Sequence, residues 1–170
     1  HEFGHFLAAR RFGVKVYEFS IGFPFSPRLF TLFRHKETVF TVRLLPLGGF
    51  VGFSQDNGEE DIELFGVSYW KRALILSAGS LFNVFFAFAV FTVVFAVGKD
   101  SDPVSALMLS AKTVWEILSG TLLFIMKALS GHGAVEGVSG PVGIAVMAGE
   151  AAGKGVLSLC TFTGMLSLSL

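Results

Sequence analysis

The chain reads as mainly α, a polytopic helical membrane protein with a small membrane-associated antiparallel β-region. Three observations carry that reading. Of the 170 residues 52% are apolar and only 15% are charged, whereas an ordinary soluble domain has about a quarter charged. Ala73 to Val97 holds no charged residue, a run long enough to cross a bilayer core. Between residues 14 and 54 the pattern changes to short β-branched or alternating runs divided by turn residues.

The first residues carry the chemistry. His1-Glu2-Phe3-Gly4-His5 is an H-E-x-x-H motif. Residues four apart on a helix share a face, so His1 and His5 can offer both imidazoles to one divalent metal, zinc being the ion that suits them best. Glu2 stands beside the pair, placed to take a proton from a water that zinc has acidified. Peptide-bond hydrolysis is the reaction such a set most often serves. The plain alternative is two histidines on a solvated helix end that bind nothing. The motif supplies two ligands and a zinc site needs a third. Because it occupies residue 1, its helix is expected to begin upstream and the chain to be part of a longer one.

In order, 1–13 reads as the end of a first transmembrane helix. Phe6 to Phe12 continues it, Gly13 ends it, and Arg10-Arg11 marks its emergence at a membrane face. Residues 14–54 read as a membrane-associated antiparallel meander of four runs, Val14–Ile21, Arg28–Phe33, Thr38–Leu45 and Gly49–Ser54. Phenylalanines at 19, 23, 25, 30, 33, 40, 50 and 53 exceed what so small a sheet can bury on itself, so some are expected to face lipid or helices. His35 falls in a turn. Residues 55–69 form an acidic loop whose Asp56 and Glu60 are too generic to count as a metal site.

Residues 70–98 are the second transmembrane helix, entered through Tyr69-Trp70-Lys71-Arg72. Within it Ala78-Gly79-Ser80 allows close helix contact. Asn83 must face protein or a polar cavity, as an interhelical hydrogen bond or as a substrate contact. Residues 99–140 read as an extracytoplasmic amphipathic helical segment, opened by Pro103 and interrupted at Gly120, followed by a Gly-rich linker containing His132. Residues 141–170 read as a short helix and the start of a third transmembrane helix, with Cys160 packing as a small hydrophobe. Nine of the thirteen Lys and Arg residues lie between Arg10 and Arg72, which makes that side cytoplasmic and sets the metal motif near it. Net charge is zero, so nothing points to nucleic acid.

Four stretches together resemble the site-2 protease family of intramembrane zinc metalloproteases, in its bacterial regulator of sigma-E protease-like branch. They are HEFGHFLAAR at 1–10, YEFSIGFP with RLLPLGGFV at 17–24 and 43–51, WKRALILSAGSLFNVFFA at 70–87, and SGPVGIAVMAGEAA at 139–152. The resemblance implies that His1 and His5 bind zinc, that Glu2 is catalytic, and that Asn83 helps hold the substrate strand. Ser80 stands where the family has a proline. It further implies that the β-region presents an unwound substrate segment. The family's PDZ domain is absent between the second span and the helix that follows. Its third zinc ligand, an aspartate in an L-D-G motif, is expected beyond Leu170, which would leave this stretch alone holding zinc weakly.

The function expected is zinc-dependent intramembrane endopeptidase activity in a bacterial inner membrane. Its partners would be the lipid bilayer and single-span membrane proteins, such as anti-sigma factors or remnant signal peptides. A soluble metalloprotease is excluded by Ala73–Val97, and a transporter would be expected to place ionisable residues inside that span. A non-catalytic membrane scaffold of the same fold is the competing expectation.

Overall fold

A computed structural model of the chain describes residues 1–22, 24–45, 48–53, 64, 66–98, 102–130 and 141–169. The acidic stretch with Asp56 and Glu60, the linker with His132, Phe23 and Pro46 lie outside the described residues. Two compact units divide the chain, His1–Phe82 and Asn83–Leu170.

In the first unit, helix α1 (Glu2–Arg11) stops at Gly13, as expected. Phe12 is the C-cap and Gly13 follows at φ 78°, a left-handed conformation open to glycine without steric cost. The Val14 amide donates to the Ala9 carbonyl at 2.9 Å and the Gly13 amide to Arg10 at 3.3 Å, satisfying carbonyls that the helix end leaves free. Val14 and Ala9 are both buried.

Strands β1 (Glu18–Ile21), β2 (Arg28–His35), β3 (Thr38–Arg43) and β4 (Gly49–Gly52) overlap the four expected regions, but β2 runs two residues past Phe33, so His35 is a strand residue paired with Thr38 and not a turn residue. They do not form an antiparallel meander. The order is β2-β3-β1-β4, with β1 parallel to β3 and antiparallel to β4. Of the consecutive pairs only β2 and β3 are hydrogen-bonded neighbours, joined through Lys36-Glu37. A meander would set β1 beside β2, but β1 carries Glu18, only 6% exposed, whose carboxylate needs partners on two strands. It accepts from Thr41 Oγ1 at 2.7 Å, from Arg43 Nη2 at 2.9 Å on one oxygen and 3.0 Å on the other, from Arg43 Nε at 3.3 Å, and from Arg28 at 2.6 Å. Arg43 is equally buried and also donates to the Pro24 and Ser26 carbonyls, fixing the link that leads from β1 to β2. An unpaired buried charge is costly, and placing β3 beside β1 pairs both members.

Burial by itself would raise the Glu18 pKa, but the Thr41 and Arg43 hydrogen bonds and the Arg28 and Arg43 charges outweigh it and hold the carboxyl below its ordinary value. The ionised group therefore stabilises the sheet above the ordinary glutamate pKa, and that contribution disappears as pH falls through the lowered native value. Glu18→Gln leaves Arg43 buried against a neutral partner and is expected to cost about 3–5 kcal/mol. Thermal unfolding of the two proteins across acid and neutral pH checks this: the difference should shrink below the native Glu18 pKa, and a pH-independent difference would contradict the charge argument.

The unit's core joins Phe6 and Ala9 of α1, Val14, Val16, Val51, Phe53 and Leu64 with Ile75. Ile75 belongs to helix α2 (Tyr69–Gly98), whose residues up to Phe82 lie in this unit. Phe6 meets the rings of Phe19 and Phe40 edge-on at 5.5 and 5.8 Å, so α1 is seated on the sheet by aromatic contacts. The surplus of phenylalanine shows at the β2 edge, where every residue including Phe30 and Phe33 is exposed.

The second unit contains the rest of α2 with α3 (Pro103–Leu129), α4 (Pro141–Gly153) and α5 (Val156–Ser169). Ala87, Phe91 and Val114 form its core. Gly164 allows α5 to approach the Phe91 ring, since a Cβ there would lie 3.1 Å from two ring carbons. Pro103 opens α3 as expected, but α3 runs unbroken through Gly120. One glycine costs a helix interior only about 1 kcal/mol, too little to interrupt a helix of this length. By length and composition α2 and α3 can each cross a membrane. Their hydroxyls bond inward, as Thr92 does to the Phe88 carbonyl and Thr121 to Ile117, which satisfies polar groups without outside partners.

Candidate functional site

The histidines of the motif converge. His1 is the N-cap of α1 and His5 lies one turn on. Their rings meet edge to face with centroids 4.8 Å apart. His5 Nδ1 lies 2.8 Å from the Ile75 carbonyl oxygen of α2. A carbonyl can only accept, so Nδ1 is the donor, and in the neutral ring Nε2 is then the nitrogen with the lone pair. Orienting a ligating histidine through its other nitrogen in this way is the usual support of a metal site.

Both Nε2 atoms face one glycine. A Cβ on Gly79 would lie 2.9 Å from His1 Nε2 and closer still to His5 Nε2. Two nitrogens that share one ion must both be free of intruding side chains, and with glycine at 79 no Cβ collides with either ring. The residues present thus fit half of a zinc site. Among the described residues no group of three His, Cys, Asp or Glu is arranged to hold a metal ion, so the described residues offer two zinc ligands, His1 and His5.

Glycines seat the rest of the motif as well. A Cβ on Gly4 would lie 2.7 Å from Phe82 Cβ and against the Ala78 carbonyl, so α1 and α2 approach at backbone distance here. A Cβ on Gly49 would lie 2.6 Å from Glu2 Cγ. Glu2 therefore rests on the start of β4, half-buried, while His1 is exposed and His5 half-buried. His1, Glu2 and His5 are brought together between α2 and β4 of one unit.

Asn83 belongs to the second unit, 6% exposed, and its backbone carbonyl accepts from Ser167 Oγ at 3.1 Å. The roles of Gly79, Gly49 and the Ile75 carbonyl were not read from the sequence. The run Ala78-Gly79-Ser80 announced a close approach without saying what approaches.

The family model described as "Peptidase family M50" matches residues 1–170. A Vibrio cholerae protein named "Putative zinc metalloprotease" is 41% identical over 104 residues, covering 58% of this chain and 23% of that protein. An Arabidopsis thaliana protein, "Membrane metalloprotease ARASP, chloroplastic", is 39% identical over 105 residues, 58% of this chain and 23% of its own. "Protease RseP" of Yersinia pestis is 39% identical over 107 residues, with 59% and 23% covered. The chain thus matches less than a quarter of the length of each of these three relatives.

Proposed function

The chain belongs to peptidase family M50, the site-2 protease family, and on that premise we propose that it forms part of a zinc-dependent endopeptidase that cuts peptide bonds within membrane-spanning segments. The observation that carries this reading is the convergence of His1 and His5 Nε2 on the space beside Gly79, with Glu2 alongside. His1 and His5 would hold the ion, and a third ligand from outside the described residues would complete it. A zinc ion held there would supply Lewis-acid chemistry, polarising the scissile carbonyl and making a water acidic enough to lose a proton near neutral pH. Glu2 accepts that proton as general base and returns it to the leaving amine nitrogen. The Ile75 carbonyl keeps His5 in the tautomer this requires.

The substrates are single-span membrane proteins, such as anti-sigma factors or remnant signal peptides. A peptide bond inside a helix must be unwound before water can attack it, and an open sheet edge can hold an unwound strand. The edge strand β4 touches Glu2 through Gly49, which favours presentation there. Asn83, a buried polar residue within the uncharged run Ala73–Val97, serves as a further substrate contact. The protein is multi-pass in a bacterial inner membrane, with its site near the cytoplasmic face. The apolar lengths of α2 and α3 and the concentration of Lys and Arg before residue 73 support this.

Metal content of the full-length, detergent-solubilised protein tests the ligand assignment. We expect one zinc per chain, falling to under a tenth in His5→Ala. Stoichiometric zinc in a His1→Ala/His5→Ala double variant would remove both histidines from the site. A full-length protein that holds no zinc and cuts nothing would instead support a non-catalytic scaffold of the same fold.

A further inference from the structure

At the opposite end of α1 from the histidines lies a recess of about 280 Å³ lined by Arg10, Gly13, Lys15, Lys36, Glu37 and Thr38, with Val14 and Val16. Three cations face one carboxylate. Glu37 lies 3.9 Å from Lys15, and among the described residues neither Arg10 nor Lys36 has a carboxylate partner. Arg10 is not loose, because its guanidinium sits 5.5 Å from the centre of the buried Phe6 ring. Lys36 stands in the short β2–β3 turn at φ 55°, where asparagine or glycine would be the relaxed residue. The floor is firm: Val14, Val16 and Thr38 are buried, and the Thr38 hydroxyl donates to the Val16 carbonyl at 2.7 Å.

We propose that this recess binds a phosphate group, presented by the headgroup of an anionic phospholipid at the membrane surface. The lipid source rests on the membrane reading above and not on its metal chemistry. Ten helical residues rise about 15 Å, half the hydrocarbon thickness of about 30 Å. If the histidines lie at membrane depth, the Arg10 end of α1 reaches the headgroups. A bound headgroup would hold α1, and through it the motif, at a set depth.

The test incorporates the full-length protein into nanodiscs of phosphatidylcholine with a minority of phosphatidylglycerol and measures the lipid retained after extraction. A basic side chain near an anionic surface contributes about fivefold. Phosphatidylglycerol should therefore be enriched, and Lys15→Gln/Lys36→Gln should reduce the enrichment more than tenfold. Lys112→Gln, an exposed lysine on α3 whose carboxylate partner among the described residues is Glu116, should leave it unchanged. Excess inorganic phosphate at matched ionic strength separates the sources: no displacement supports the lipid headgroup, and displacement supports a phosphate site filled from solution. Equal retention of both lipids, or equal loss in the Lys112 variant, would overturn the recess as a site while leaving the membrane reading intact. Failure to enter neutral nanodiscs at all would overturn the membrane reading and the lipid source with it.

Discussion

Replacing Glu2 with glutamine in the full-length protein is expected to lower cleavage of a single-span membrane substrate by at least about 100-fold, the lower end of what a positioned general base supplies, while zinc content stays at the wild-type level. The two effects separate because glutamine keeps the shape of glutamate. Glu2 rests its methylenes on Gly49 at the start of β4, and glutamine preserves that packing while losing the ability to take a proton. His1, His5 and the Ile75 carbonyl are untouched by the change. Cleavage at the wild-type rate would remove Glu2 from the role of base. Loss of zinc together with activity would show that the carboxylate acts on the metal site and not on the proton.

Gly79→Ala is the second change with a large expected effect, and it separates the space beside the histidines from the histidines themselves. The added methyl would stand 2.9 Å from His1 Nε2 and nearer still to His5 Nε2. Both rings must turn away or the two helices must part. The helices cannot part easily, since Gly4 already packs against the Ala78 carbonyl and Phe82. Support residues around metal ligands are worth about 10–100-fold in affinity or activity, and direct intrusion between the ligands should reach the upper end of that range. We expect zinc occupancy and cleavage to fall together, by about 100-fold, with the helical content unchanged. Gly120→Ala is the matched control. It lies in α3 with nothing within 4 Å of its added methyl, and alanine there favours the helix by about 1 kcal/mol. Full zinc occupancy in Gly79→Ala would mean that the metal does not use the space the two Nε2 atoms share.

The features legible in the sequence were those that depend on neighbours along the chain. A histidine pair four residues apart inside a helix is bound to share a face, so the His1–His5 convergence follows from spacing and the 3.6-residue period. Gly13 ends α1 because the left-handed turn it adopts is local geometry. The uncharged stretch behind α2 and the opening of α3 at Pro103 were equally local, and α2 appears as a helix long enough to cross a bilayer, whereas α3, expected as an extracytoplasmic amphipathic segment, is also long and apolar enough to cross one.

Strand order was a different matter. The turn signals between the β runs suggested neighbours in sequence order, yet β1 lies between β3 and β4. The reason is a buried charge network. Glu18 must meet Thr41, Arg43 and Arg28 at once, and nothing in a turn residue records a pairing 25 positions away. The supports of the metal motif are of the same kind. Gly79, Gly49 and the Ile75 carbonyl lie far from it along the chain, and each contributes backbone or empty space, not a recognisable side chain. Chemistry carried by side chains at fixed spacing can be read from a sequence, whereas the room that chemistry needs exists only once distant backbones have met.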